Sequence, residues 1–257
     1  MDLIERFLFF PTREFEIDVA RPGGPVEDVW FETSDGPRLH GWLATPPRAR
    51  HTLLFFHGNA GNLADRWDNV ERLMARGVRV FIIDYRGYGK SGGVPTERGL
   101  YLDARAAWAA LAARPGVDPD RVFLFGRSLG GAVAIDLALE VRPRGLIVES
   151  SFESVAAMTR AIYPIVPVHM LTGRRFDSIS KVPRLTVPAL FVHGTRDDVV
   201  PFAQGKALYA ACGSADKEFL VLANAAHNDT YLVGGDAYFA RLLSFLDRWD
   251  SRGDRGR

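Results

Sequence analysis

The sequence predicts one α/β domain built on a mostly parallel eight-stranded sheet, with helices on both faces and a small cap-like insertion. Three observations carry this. Short apolar runs alternate with longer runs of helical period. No linker, repeat or low-complexity segment interrupts them over 257 residues. Most of the strand runs are apolar at successive positions rather than at alternate ones, which suits strands covered on both faces.

The first two candidate strands, 26–33 and 39–44, are joined by Ser34, Asp35, Gly36 and Pro37, which is turn chemistry, so an antiparallel hairpin is expected. After Thr45, Pro46 and Pro47 the character changes. The runs at 51–56, 78–84, 121–125, 145–148, 189–192 and 219–222 are short and mostly apolar, the pattern of a parallel sheet. Helical stretches at 62–76, 98–113, 129–141, 202–212 and 236–249 supply the crossovers that parallel neighbours require. The first pair is expected to run antiparallel to the later strands. Residues 152–182, with Pro164 and Pro167 among Ile162, Tyr163, Ile165, Val166, Met170 and Leu171, break the rhythm and are expected to form the cap.

Composition removes several functions. Thirty-two Lys and Arg against 31 Asp and Glu leave a net charge of +1, without the basic footprint of a nucleic-acid binder. The longest apolar runs, such as 7–10 and 53–56, fall far short of the ~20 residues that span a bilayer, so no integral membrane segment is expected. A single cysteine, Cys212, allows neither an internal disulfide nor a thiolate metal cage; a cytoplasmic address fits, and so does an exported chain without disulfides. Leu3, Ile4, Phe7 and Leu8 stand at helical spacing, and Asp2 and Glu5 oppose a signal peptide. Either these residues pack on the domain or they make a weak membrane-surface contact.

The strongest chemical signal is Gly126, Arg127, Ser128, Leu129, Gly130 and Gly131, placed directly after an apolar strand and before a helical run. In that context the serine occupies a tight turn, and small neighbours let strand and helix approach each other. A serine hydroxyl needs a base, and the base needs an acid to orient it. Asp197 and Asp198 follow the strand at 189–192, and His227 follows the strand at 219–222. Glu149, at another strand end, is a third candidate acid, whose alternative reading is a loop tether. Of the six histidines only His227 comes after the candidate acids; His40 and His51 read as structural, and His169 falls in the cap.

The chain resembles the serine α/β-hydrolases, in particular the Bem46-like branch that includes the depalmitoylase-like alpha/beta-hydrolase-domain proteins. The resemblance runs from about residue 9 to 246 and rests on blocks at 55–62, 84–93, 126–131, 149–152, 175–178, 193–201 and 226–229. It implies the α/β-hydrolase fold, Ser128 as nucleophile, Asp197 as acid and His227 as base. It also implies an oxyanion hole made by the backbone N–H groups of Asn59 and Leu129. His57 and His193 read as histidines that pin their loops, and Arg86 and Tyr88 as residues of a loop shaping the pocket rim.

Residues 58–62 lack the lysine and hydroxyl of a phosphate-binding loop, and no cluster has metal-ligand spacing, so catalysis without cofactor or metal is expected. Phe152, Ile162, Tyr163, Ile165, Val166 and Met170 either line an acyl pocket or pack as core. Branch members often carry a membrane-spanning or lipidated N-terminus, whereas residues 3–10 are short and hold no cysteine. The expected reaction is cleavage of a carboxylic ester or thioester through an acyl-enzyme on Ser128. Amide cleavage or acyl transfer with the same residues is the main alternative, and a non-catalytic binding protein on the same fold is the second. An aspartate nucleophile of the haloalkane type is excluded by the serine at 128.

Overall fold

The computed structural model describes residues 5–21, 23–162 and 173–252. The strands are β1 (Phe10–Pro11), β2 (Val26–Glu32), β3 (Arg38–Ala44), β4 (His51–Phe56), β5 (Ala60–Gly61), β6 (Val78–Ile83), β7 (Val122–Arg127), β8 (Gly145–Glu149), β9 (Ala189–Gly194) and β10 (Lys217–Leu222). Eight of them form one sheet in the order β10, β9, β8, β7, β4, β6, β3, β2, and β1 pairs with β5 alone. The helices are α1 (Glu5–Leu8), α2 (Trp67–Met74), α3 (Glu97–Ala112), α4 (Leu129–Val141), α5 (Val155–Ile162), α6 (Ser178–Lys181), α7 (Phe202–Ala211) and α8 (Thr230–Arg252). All eight expected strands and all five expected helices are present.

The chain divides into two compact units, residues 1–124 and 125–257. In the first, β4 lies parallel to β6, and Leu53 to Phe56 and Val80 to Ile83 are buried, as apolar strands covered on both faces must be. The hairpin of β2 and β3 forms at the expected turn, where Gly36 takes a φ of 107°. The direction of the first pair differs from expectation. β3 is antiparallel both to β2 and to β6, so β2 runs in the same direction as β6 and β4. Loop 84–93 is anchored through Arg86, which donates from its main chain and Nε to Asp103 of α3 and from its guanidinium to Asp35. Arg86 thus works as a buried anchor.

In the second unit, β8, β9 and β10 run parallel in register from Leu146↔Ala189 and Lys217↔Ala189. α4 follows β7 after one residue, and α7 lies between β9 and β10 in the chain. The expected helix start at 236 coincides with a break: Gly235 is non-helical at φ 50°, and 230–234 form a preceding turn. Of the expected cap, α5 and α6 are described, whereas Tyr163, Ile165, Val166, Met170 and the Ile162 side chain lie outside the described residues. Among the described residues no helix is long and apolar enough to cross a membrane. Phe9 is buried while Phe7 is exposed, so the N-terminal apolar stretch is split between packing and solvent.

Candidate active site

Ser128 lies between the last residue of β7 and the first of α4, with φ 54° and ψ −118°. A side chain is costly there, by about 1–3 kcal/mol, and the surroundings hold it in place. The Ser128 N–H donates to Glu149 O at 2.9 Å, and the Ser128 carbonyl accepts from Gly131 N and from Ser151 Oγ, both at 2.9 Å. A Cβ on Gly126 would stand 2.2 Å from the Gly130 carbonyl oxygen, because strand and helix nearly touch at the turn. Gly126→Ala is therefore expected to destabilise by about 1–3 kcal/mol, the scale of overpacking, read as a fall in the thermal midpoint. The Leu129 N–H belongs to the first turn of α4, where no helical carbonyl is available to it, and it stands where negative charge is favoured.

Asp197 lies three residues beyond β9 and His227 five beyond β10, on loops at the carboxyl ends of two neighbouring parallel strands. The two side chains meet: His227 Nδ1 donates to Asp197 at 2.8 Å (Oδ2) and 3.0 Å (Oδ1). The Asp197 side chain has no exposure, and it also accepts from Val199 N at 3.0 Å and Val200 N at 2.7 Å. His193 Nε2 adds a contact at 3.2 Å. Burial works to raise the pKa of this carboxyl, but hydrogen bonds from His193 and His227 outweigh it and hold Asp197 well below the usual carboxylate range. Asp198 is exposed, and among the described residues it meets only the His227 main-chain N–H, at 3.3 Å.

His193 reads in the sequence as a loop pin, and it does bond Val200 O at 2.9 Å. Its contact with the acid was not legible, although the adjacent Gly194 and the later Gly205 mark the tight packing: a Cβ at Gly205 would meet the His193 ring at 2.2 Å. Arg127 was also missed as a functional position. Its guanidinium donates to the His227 carbonyl and lies 3.3 Å from Glu149 Oε1. Glu149 is fully buried and accepts from Thr230 Oγ1 at 2.8 Å and Tyr238 OH at 2.5 Å. That is the tether reading of Glu149: it ties the elbow strand and the start of α8 around the His227 loop.

The structure therefore brings Asp197 and His227 into contact. It places Ser128 at the elbow of the same unit without a hydrogen bond to His227 among the described residues. Phe152, at the exit of β8, is buried. Asn59 lies in the first unit, in the loop after β4, where the ring nitrogens of buried His57 lie 2.7 Å from Gly58 O and 3.2 Å from Asp84 Oδ1. Among the described residues no group of His, Cys, Asp and Glu has the arrangement of a metal site.

A family model described as serine aminopeptidase, S33, matches residues 47–181 and 176–229. Among solved structures, an esterase of Pyrococcus furiosus superposes with a TM-score of 0.77 at 24% identity, covering 94% of this chain and 98% of that one. The fold is that of the α/β-hydrolases. Alpha/beta hydrolase domain-containing protein WAV2 of Arabidopsis thaliana is 32% identical over 271 residues, with 95% of this chain and 88% of WAV2 covered. Protein bem46 of Schizosaccharomyces pombe is 38% identical over 249 residues, covering 92% of this chain and 79% of that protein. The chain belongs to the α/β-hydrolases, on their Bem46-like branch.

Proposed function

We propose that the chain, acting as one hydrolase domain, cleaves carboxylic esters or thioesters through an acyl-enzyme on Ser128. The observation that carries this reading is the 2.8 Å contact between His227 Nδ1 and a buried, ionised Asp197, in the unit that also holds the strained Ser128. Asp197 keeps the proton on Nδ1, so Nε2 is free to accept one. His227 takes the Ser128 hydroxyl proton as Oγ attacks the acyl carbon. The oxyanion that develops is received by the N–H groups assigned to it, Leu129 and Asn59. His227 returns the proton to the leaving alcohol or thiol, and then activates the water that releases the acid and frees Ser128. The substrate carries an apolar acyl group, received beside Phe152, and the companion expectation is a cytoplasmic address with no cofactor.

The test is hydrolysis of p-nitrophenyl esters of short, medium and long acyl chains, and of an acyl thioester, by the wild type and by Ser128→Ala. Turnover with a chain-length optimum is expected in the wild type, with a loss on the order of 10⁴-fold or more in the variant. Undiminished turnover by Ser128→Ala would overturn the assignment. A second reading, amide cleavage, is favoured by the aminopeptidase description of the matching family model. It would replace the first if aminoacyl p-nitroanilides were cleaved and every ester refused.

A further inference from the structure

Residues 8–15 lie along the loop that carries Asn59, and the fit is detailed. The Asn59 side chain is used at both ends: Nδ2 donates to Leu8 O at 2.7 Å, and Oδ1 accepts from Tyr88 OH at 2.9 Å. Tyr88 is fully buried, and its hydroxyl and the Asn59 side chain together link loop 84–93 to the arm at Leu8. β1 pairs with β5 through Phe10↔Ala60 and Pro11↔Gly61, and Thr12 N continues the ladder to Gly61 O at 3.1 Å. Asn62 Nδ2 reaches back to Thr12 O and Glu14 O, the latter at 2.7 Å.

The arm is fastened at its far end as well. Gly89 N donates to Thr12 O at 2.9 Å, Arg13 donates to Ser91 O at 3.1 Å, and Lys90 lies 4.8 Å over the Phe15 ring while pairing with Asp18 at 3.1 Å. Phe15 packs edge-on to Trp42. Meanwhile Tyr85 OH donates to His57 O at 2.8 Å and holds the same loop from the side of loop 84–93. With its side chain tied twice, Asn59 keeps a fixed main-chain direction, and its own N–H donates to no acceptor among the described residues of this unit.

We propose that Leu8 to Phe15 form a positioning strap for the Asn59 loop, with the Tyr88 hydroxyl as the joint that sets where the Asn59 N–H points. This rests on the assignment of that N–H to the oxyanion. Tyr88 and the arm touch no reacting atom; they act through the loop. Deleting an oxyanion donor outright costs about 10²–10³ in kcat, and displacing a reacting partner by about 1 Å about 10². Loosening the joint should cost somewhat less than removing the donor.

The test removes only the hydroxyl, with Tyr88→Phe, and separately the clamped side chain, with Asn59→Ala, which keeps the main-chain N–H. Each variant is expected to lower kcat for a p-nitrophenyl ester by about 10- to 100-fold. KM should stay within about twofold, since only the transition state carries the oxyanion. Affinity for phenylboronic acid, which forms a tetrahedral adduct on the serine, should fall by the same factor as kcat. The double variant should lose no more than Asn59→Ala alone, because both changes cut one link. A purely structural role would lower the thermal midpoint while leaving the kcat and the boronate affinity of the folded protein unchanged. Wild-type kcat in Tyr88→Phe, or an unchanged boronate affinity in both variants, overturns the strap while leaving the serine-hydrolase reading standing. A wild type without Ser128-dependent turnover overturns both together.

Discussion

Asp197→Asn is expected to lower kcat by about 10⁴-fold with little change in KM, as the loss of the orienting carboxylate does in a comparable triad. The reason is directional. Asp197 accepts the His227 Nδ1–H at 2.8 Å, whereas an amide at the same place can present N–H donors to that nitrogen. The ring proton is then favoured on Nε2, the tautomer that cannot accept a proton from serine. Asp198→Asn is the control: that side chain is exposed and, among the described residues, meets only a main-chain N–H, so less than a tenfold change is expected. Equal losses in the two variants would sink the assignment of Asp197. The substitution also has a pH signature. Asp197 in the folded protein sits below the ordinary aspartate value of 3.8, so its ionic contribution to stability is complete above that value and is lost as pH falls through the folded one. The wild type should therefore lose its thermal-midpoint advantage over Asp197→Asn only below about pH 4, as a series of melts from pH 7 to 3 would read.

Glu149→Ala is expected to cost about 3–5 kcal/mol, because it leaves the Arg127 guanidinium buried without its carboxylate and strands the hydroxyls of Thr230 and Tyr238. At about 2–4 °C per kcal/mol for a chain of this size, the midpoint should drop by roughly 6–20 °C. Activity should fall with it, since Arg127 holds the His227 carbonyl. Glu149→Gln keeps most of the hydrogen bonding and should be milder in both respects. Replacing Arg127 and Glu149 together by methionine should recover part of the stability, as buried ion pairs exchanged for apolar groups often do. Glu149→Gln with a wild-type midpoint and no activity would instead make Glu149 an acid of the mechanism.

The fold was legible wherever side-chain pattern decides structure. Apolar runs such as Leu53 to Phe56 and Val78 to Ile83 can be satisfied only by strands covered on both sides, and Ser128 between β7 and α4 gave the elbow. The pairing of β1 with β5 was not legible, because two residues on each side are held by main-chain bonds and leave no periodicity. The direction of β2 depended on which strand β3 would find as its other neighbour, a matter of tertiary pairing. The tether of Arg127 to Glu149 and to His227 joins positions 22 and 100 residues apart, each of which reads as an ordinary motif residue alone. The resemblance chose between Asp197 and Asp198, and the hydrogen bonds give that choice its physical content.

The backbone of Ser128, at φ 54°, bears on how such sites persist through evolution. Gly126 is the residue its own geometry requires, and its presence records only that the turn must close. Serine at 128 is the opposite case, since a glycine would relieve the strain there, and selection for stability by itself would drive the position toward glycine. Retention of a side chain against that drift points to a use for the hydroxyl that outweighs its local cost. Positive φ alone does not single out Ser128, since Arg142, Ser150, Phe176 and Asn224 share it; the strain together with the place between β7 and α4 does.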